Sequence, residues 1–343
     1  MFSQILTTVL ASSALLGASV SAQADSVSDF YAGKTITVIV GSESGGGYDT
    51  NARVLSRHLG RYLPGHPQII VQNMPGAGSI VATNYLVNVA PKDGTFIGLV
   101  QRGMLMAKLT QQAGIKFDPE KINWLGNMSS EASLVIAWHT SPQTKAEDLF
   151  TTGMVVGGAG PTADTESTPR VLNATIGTKF KVITGYKGSS SLLIAVENGE
   201  LQGIADWAWP NIKSRRPDFL RDKKIKLLMQ IGLEKEPDLP DVPLALDFAK
   251  TPEDRKVLEL YFAQKNVARP LMAAPGVPAE RLAALRTAFE QMSPDKDFLE
   301  DAKKSGLDVE PMTGAAVDKI MQLIASTPDH IGKRLADAMA PPK

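Results

Sequence analysis

Residues 35–50 read TITVIVGSESGGGYDT, and the reading of this stretch decides the fold. Residues 35–40 form a short run rich in β-branched side chains, the pattern of a strand buried on both faces. A loop with three successive glycines, Gly45-Gly46-Gly47, follows. Ala52, Leu55, Leu59 and Leu63 then recur at helical spacing until Pro64-Gly65 closes the segment. Working outward, residues 69–72 predict a second strand, and Pro75-Gly76-Ala77-Gly78-Ser79 a second loop ahead of a helix to Val89. Pro91-Lys92-Asp93-Gly94 predicts a turn and residues 96–101 a third strand. The order βαβαβ implies a parallel sheet with right-handed crossovers.

A second block repeats the pattern. Residues 154–157 predict a strand, Gly158-Ala159-Gly160-Pro161-Thr162 a loop, and residues 169–176 a helix with Thr168 as N-cap and Pro169 at its first position. Further strands are predicted at 181–185, 201–206 and 226–231. Helices are predicted at 189–197, 278–291 and 315–325. Leu239-Pro240-Asp241-Val242-Pro243 reads as a rigid connector. Two α/β blocks of similar size, with no long linker between them, imply two lobes facing each other across a cleft.

The 343 residues suffice for two domains. Lys plus Arg is 36 and Asp plus Glu is 36, so no basic excess favours nucleic acid or an anionic membrane. The absence of cysteine excludes disulfides, thiolate metal sites and a cysteine nucleophile. His58, His66, His139 and His330 stand in no metal-binding spacing, so neither a metal nor a cofactor is expected. Residues 5–20 are apolar and uncharged, and Ala22-Gln23-Ala24 follows in the small-x-small pattern of a cleavage site. This reads as a secretory signal peptide over residues 1–24, although residues 1–4 carry no Lys or Arg. The run is shorter than the ~20 residues that span a bilayer. An exported chain without cysteine suits a bacterial periplasm.

Each strand-to-helix loop sits at the carboxyl end of a parallel strand, the edge where open α/β sheets bind ligands. Four loops stand there. The first offers Ser42, Ser44, Tyr48 and Thr50 hydroxyls, and glycines that admit close approach to the backbone. The second offers Gly76, Gly78 and Ser79, the third residues 158–167, and the fourth Tyr186-Lys187-Gly188-Ser189-Ser190. Such loops bind a carboxylate or phosphate through helix N-termini without a cationic side chain. Taken one at a time, each is equally a turn that uses glycine for its dihedrals and serine for a cap. Arg102, just past the third strand, can meet an acidic group of a ligand or form a surface ion pair. Asp206 can accept an ammonium or hydroxyl, or cap the helix at Asn211. Trp207 and Trp209 can wall a cleft or belong to the core, and Asp49 reads as a helix-capping residue. His139 has no acid partner nearby and no GxSxG is present, so the catalytic case is thin.

In their order and spacing, several segments resemble the tripartite tricarboxylate transporter receptor family, the TctC or Bug-type periplasmic solute-binding proteins. They are KTITVIV (34–40), GGGYDT (45–50), QNMPGAGS (72–79), APKDGT (90–95), GYKG (185–188), LPDVP (239–243) and AAPGVP (273–278). The resemblance implies a two-lobed Venus-flytrap fold with a parallel or mixed sheet in each lobe, closing on a small organic carboxylate. It implies that Ser42 to Asp49, Gly46 among them, and Gly76 to Ser79 supply ligand contacts from one lobe. Gly160, Thr162, Asp164 and Thr165, with Tyr186 and Gly188, would supply them from the other. Many relatives carry a serine and a histidine where Gly158 and Glu166 stand here. The lobes are expected at 25–128 with 265–343, and at 129–264.

The function implied is a periplasmic receptor, a monomer and not an enzyme, that delivers an organic acid to the permease subunits of a tripartite transporter. A periplasmic α/β enzyme acting on a carboxylate, and a sensory receptor with the same site, are the alternatives.

Overall fold

The computed structural model describes residues 27–341, so the signal peptide and its cleavage site lie outside the described residues. The strand β1 (Thr35–Val40) is buried from Ile36 to Val40. Its β-branched side chains pack on both faces, which fits a strand with neighbours on either side. Those neighbours are β2 (Gln68–Asn73) and β3 (Phe96–Leu99), both parallel to it. The helix α1 (Gly47–His58) joins β1 to β2, and α2 (Ile80–Asn88) joins β2 to β3. Beyond β3 the sheet is completed by antiparallel strands. β4 (Asn123–Asn127) pairs with β10 (Pro270–Ala273), and β11 (Met312–Thr313) pairs with the outer edge of β4, giving the order β11-β4-β10-β3-β1-β2.

The second sheet has the order β7-β6-β8-β5-β9. β5 (Ser133–Trp138) lies between β8 (Gly203–Ala208) and β9 (Ile225–Ile231), antiparallel to both. β6 (Met154–Gly158) is parallel to β7 (Phe180–Thr184) and to β8. The helices α3 (Asp164–Thr175), α4 (Ser189–Glu197) and α5 (Trp209–Arg215) each start at the carboxyl end of one of its parallel strands. After β9 the chain forms α6 (Pro252–Ala263) and returns as β10. The helices α7 (Ala279–Met292), α8 (Lys296–Lys304) and α9 (Gly314–Ala325) follow. α9 packs on β4, whereas the last helix, α10 (Asp329–Met339), packs on α3 and α6.

Three boundaries differ from the sequence reading for local reasons. α1 begins at Gly47, inside the glycine run, because the Asp49 carboxylate accepts the Gly45 N–H at 2.8 Å and Thr50 N–H closes onto the Gly46 carbonyl at 2.9 Å. The apolar spacing that starts at Ala52 marks only the face turned to the core. α3 begins at Asp164, which places Pro169 inside the helix instead of at its first position. Asp164 and Glu166 in the first turn complement the helix dipole and offset part of the cost of the missing proline N–H. β8 runs two residues later than predicted and carries both Asp206 and Trp207.

The chain passes between the sheets at 128–132 and again at 264–269, and the two crossings hydrogen-bond to one another. Ala268 N–H donates to the Ser129 carbonyl at 3.0 Å, and Glu131 N–H to that of Lys265 at 3.2 Å. Asn127, fully buried, ties them further. Its amide donates to the Ser129 and Asn266 carbonyls at 2.8 and 3.2 Å, and its oxygen accepts the Arg269 N–H at 2.8 Å. Asn127→Ala leaves that buried N–H without an acceptor, which costs about 1–3 kcal/mol. The expected result is a lower melting temperature together with faster amide hydrogen exchange at Arg269. Unchanged exchange there would show that the crossings do not depend on this side chain.

Candidate functional site

The carboxyl ends of the parallel strands of the two sheets face each other across a cavity of about 70 Å³. From the first sheet, Ser42, Gly47, Tyr48, Gln101 and Arg102 reach it. From the second come Ala159, Ala163, Asp164 and Thr165, then Gly188 and Ser189, then Asp206, Trp207, Ala208 and Asn211. Arg269 enters from the second crossing. Two helix N-termini open into this space. α1 follows Gly46 and has no side-chain cap, whereas the N-terminus of α4, after Gly188, is already met by the Glu43 carboxylate, which accepts the Ser191 N–H at 2.9 Å. The free N–H groups and the dipole of α1 favour an anion. Gly47 admits the opposite lobe, since a Cβ there would stand 2.6 Å from Asn211 Nδ2 and 3.2 Å from an Arg269 guanidinium nitrogen.

Six buried or nearly buried charges meet at the cavity floor. Arg102, Lys265 and Arg269 are each only 3% exposed. Arg102 forms an ion pair with Asp164 and lies 3.6 Å from Asp206 and 4.0 Å from Glu131. Lys265 donates to both Asp206 oxygens, at 2.7 and 2.5 Å, and stands 3.7 Å from Asp164. Arg269 pairs with Glu131 at 2.7 Å, and its guanidinium lies 4.3 Å from the centre of the Tyr48 ring. Burial pushes the Asp164 carboxyl up, but Arg102 and Lys265 outweigh it and hold that carboxyl below its ordinary range. Burial, with Arg102 beside it, pushes Lys265 down against the pull of Asp164 and Asp206. Within this group Arg102 Nη1, Arg269 Nε, Asp164 Oδ1 and Glu131 Oε2, and beside it Trp207 Nε1, make no hydrogen bond among the described residues.

Of the residues that the sequence singled out, Ser42, Tyr48, Arg102, Asp164, Thr165, Gly188, Asp206 and Trp207 line the cavity. Gly46 borders it, with room for a Cβ 3.4 Å from Ser189 Oγ. Ser44 is exposed. Asp49 is turned away, bonded to Arg53 at 2.9 Å and to the Asn73 amide at 2.9 Å. The second and third loops close on each other. Thr162 donates to the Gly78 carbonyl at 2.7 Å, and a Cβ on Gly160 would stand 2.2 Å from the Gly78 nitrogen. The Ser79 hydroxyl is committed, donating to the Gly41 carbonyl at 2.8 Å and accepting the Gln101 N–H at 2.9 Å. Gly76, Gly78, Ser79, Gly160 and Thr162 therefore form a contact between the lobes, outside the cavity lining. Tyr186 faces a separate groove with Gly76 and Gly160.

Two side chains take other roles than the sequence reading gave them. Asp206 does not cap the helix at Asn211, because Lys265 and the Thr168 hydroxyl, 2.7 Å away, occupy its oxygens. Arg102 is paired, but deep in the protein instead of on its surface. Trp209 donates to Asp238 at 3.3 Å, away from the cavity. Glu131, Lys265 and Arg269 escaped the sequence reading. They lie on the crossings, and only the return of β10 beside β4 brings them to Arg102. A local signal exists in Lys265-Asn266-Val267-Ala268-Arg269, two cations leading into an apolar strand.

Comparison with known proteins agrees with this architecture. The sequence model of the tripartite tricarboxylate transporter family receptor, TctC, matches residues 52–338. The UPF0065 protein in the gbd 5′ region of Cupriavidus necator is 27% identical over 244 residues, 68% of this chain and 70% of its own. The solved periplasmic binding protein BugD superposes with a TM-score of 0.71 at 20% identity, over 89% of this chain and 97% of that one. MatC from Rhodopseudomonas palustris with bound malate does so with a TM-score of 0.67 at 19% identity, over 90% and 99%. These similarities establish the two-lobed α/β fold of the periplasmic binding proteins.

The Arg102–Asp164 pair joins the lobes and can be tested by a double-mutant cycle. Arg102→Ala leaves a buried carboxylate without its main partner, a change that typically costs ~3–5 kcal/mol. Arg102→Ala with Asp164→Asn should recover much of that loss, and additive losses would show that the two do not interact.

The depressed Asp164 carboxyl has a sign of its own in pH. Its stabilisation is fully present above about pH 4, the ordinary carboxylate value, and is lost as pH falls through the lower folded value. Asp301, held down to about 2 by Arg57 and His58, adds a smaller, more solvent-screened contribution in the same direction. Melting temperature should therefore drop between about pH 4 and 2, and Asp164→Asn should flatten that slope. An unaltered slope in this variant would remove Asp164 as its source.

Proposed function

The chain belongs to the tripartite tricarboxylate transporter receptor family, and from that premise we propose that it captures a small organic carboxylate between its lobes and hands it to a membrane transporter. The observation that carries this reading is the convergence of the uncapped N-terminus of α1 with Arg102 and Arg269 on one cavity between the lobes. Backbone N–H groups and buried guanidinium groups recognise a carboxylate by direction as well as charge. The malate held by MatC, a protein of the same fold, is a ligand of this chemistry.

The ligand enters with the lobes apart, and closure buries it. Contacts that only the closed arrangement makes surround the cavity. Glu43 accepts the Ser191 N–H at 2.9 Å, the Arg215 guanidinium meets the Gly45 carbonyl, and Thr162 meets Gly78. The closed form is then what the permease subunits recognise. The reading places a monomeric receptor in the periplasm, exported by the apolar leader, and gives it no catalytic step. Among the described residues no helix is long and apolar enough to cross a membrane.

A thermal-shift screen against small organic acids tests the reading. A true ligand at ~100 times its dissociation constant adds about 2.7 kcal/mol of stability. The same ligand should reduce the radius of gyration in small-angle scattering. Gly47→Ala sharpens the test, because its Cβ would strike Asn211 only when the lobes are closed. The variant should keep its unliganded melting temperature while losing both the shift and the compaction. If no acid shifts the protein while a sugar or a metal ion does, the carboxylate reading fails.

A further inference from the structure

The cavity asks for more than a carboxylate. Its charged floor counts three cations, Arg102, Lys265 and Arg269, and three carboxylates, Asp164, Asp206 and Glu131, and so is already neutral. The carboxylates are not equally occupied. Asp206 is engaged through Lys265 and Thr168, and Glu131 faces Arg269 at 2.7 Å. Asp164 gives Oδ2 to Arg102 and leaves Oδ1 buried, unpartnered and in the cavity wall. Arg102 Nη1, Arg269 Nε and Trp207 Nε1, from three other lining residues, are unpartnered donors.

A buried acceptor and buried donors left open in one wall call for a ligand that carries both a donor and an acceptor. Net charge selects the donor. A dicarboxylate would add two negative charges to a neutral, desolvated cluster and would bring one of them towards Asp164. A molecule with one carboxylate and one ammonium adds no net charge and answers both kinds of open atom. The cavity volume, about 70 Å³, holds only a few water-sized groups in this arrangement of the lobes.

Resting on the receptor reading above, we propose that the preferred ligand is a small amino acid. Its ammonium group is received by Asp164, and its carboxylate by the N-terminus of α1 with the open donors of Arg102, Arg269 and Trp207. Asp164 thereby sets specificity, and the α1 N-terminus with those donors sets the general affinity for acids.

Calorimetric titration of two matched series tests this: propionate, lactate and alanine, then succinate, malate and aspartate. The amino member of at least one series should bind at least tenfold more tightly than its unsubstituted parent. Asp164→Asn should bring that ratio close to one. The ratio on the unaltered protein decides the ligand class even if the variant does not fold. Equal or tighter binding of the unsubstituted acids overturns the inference and leaves the carboxylate receptor standing. A preference for the amino acid that survives in a folded Asp164→Asn overturns the role of Asp164. If neither acids nor amino acids bind, the receptor reading falls, and the inference falls with it.

Discussion

The six-charge cluster where the chain crosses between its sheets is the constraint on which the rest of the structure turns. Removing ions from water costs several kcal/mol each after relaxation, and only close pairing with good geometry offsets it. That pairing requires five separate parts of the chain to arrive together. Arg102 comes from the end of β3, Glu131 from the first crossing, Lys265 and Arg269 from the second, Asp164 from the start of α3 and Asp206 from β8. The crossings must therefore keep their register, which explains why a fully buried asparagine and several backbone bonds fasten one to the other. The cluster also divides by mobility. Lys265 with Asp206 joins a crossing to the second lobe, whereas Arg102 with Asp164 joins the two lobes and must part when they open.

Around that floor, glycine serves two distinct purposes that look alike in a sequence. At Gly47 the missing side chain opens a helix N-terminus beside the cavity, and at Gly47 and Gly188 it lets the opposite lobe close over the helix start. A Cβ at Gly188 would meet Ser42 Oγ at 2.8 Å. At Gly78 and Gly160, both with positive φ, it lets backbone approach backbone across the lobe boundary. The first kind shapes a space for a ligand, and the second fixes how far closure proceeds.

This difference marks how much the sequence could convey. The parallel part of each sheet was legible because its signals are local: a β-branched run, a glycine loop, an apolar helical stripe. The rule that ligands gather at the carboxyl ends of parallel strands then pointed to Ser42, Tyr48, Arg102, Asp164, Asp206 and Trp207, all of which line the cavity. The antiparallel strands β4, β5 and β10 carried no comparable signal, since their register depends on where the chain returns. Glu131 and Lys265 are 134 positions apart in the numbering, yet their backbones hydrogen-bond at 3.2 Å. No local pattern encodes that meeting. Glycine content could not separate the cavity loops from the loops that only pack on each other, because the same dihedral freedom serves both.

A charge-balanced floor also bears on how such a cleft lets go. A site built from unopposed cations would hold an anion tightly and would repel its own lobes when empty. Here each cation of the cluster has a carboxylate partner, so closure by itself leaves none of them unpaired. On the proposed reading a ligand would contribute through the few atoms that remain open and through the α1 N-terminus, which carries only about half a unit charge. Capture by partial charges and single hydrogen bonds keeps the free-energy gap between open and closed states small. A receptor that must release its cargo to a partner depends on that small gap, because binding energy invested in closure has to be recovered when the lobes separate.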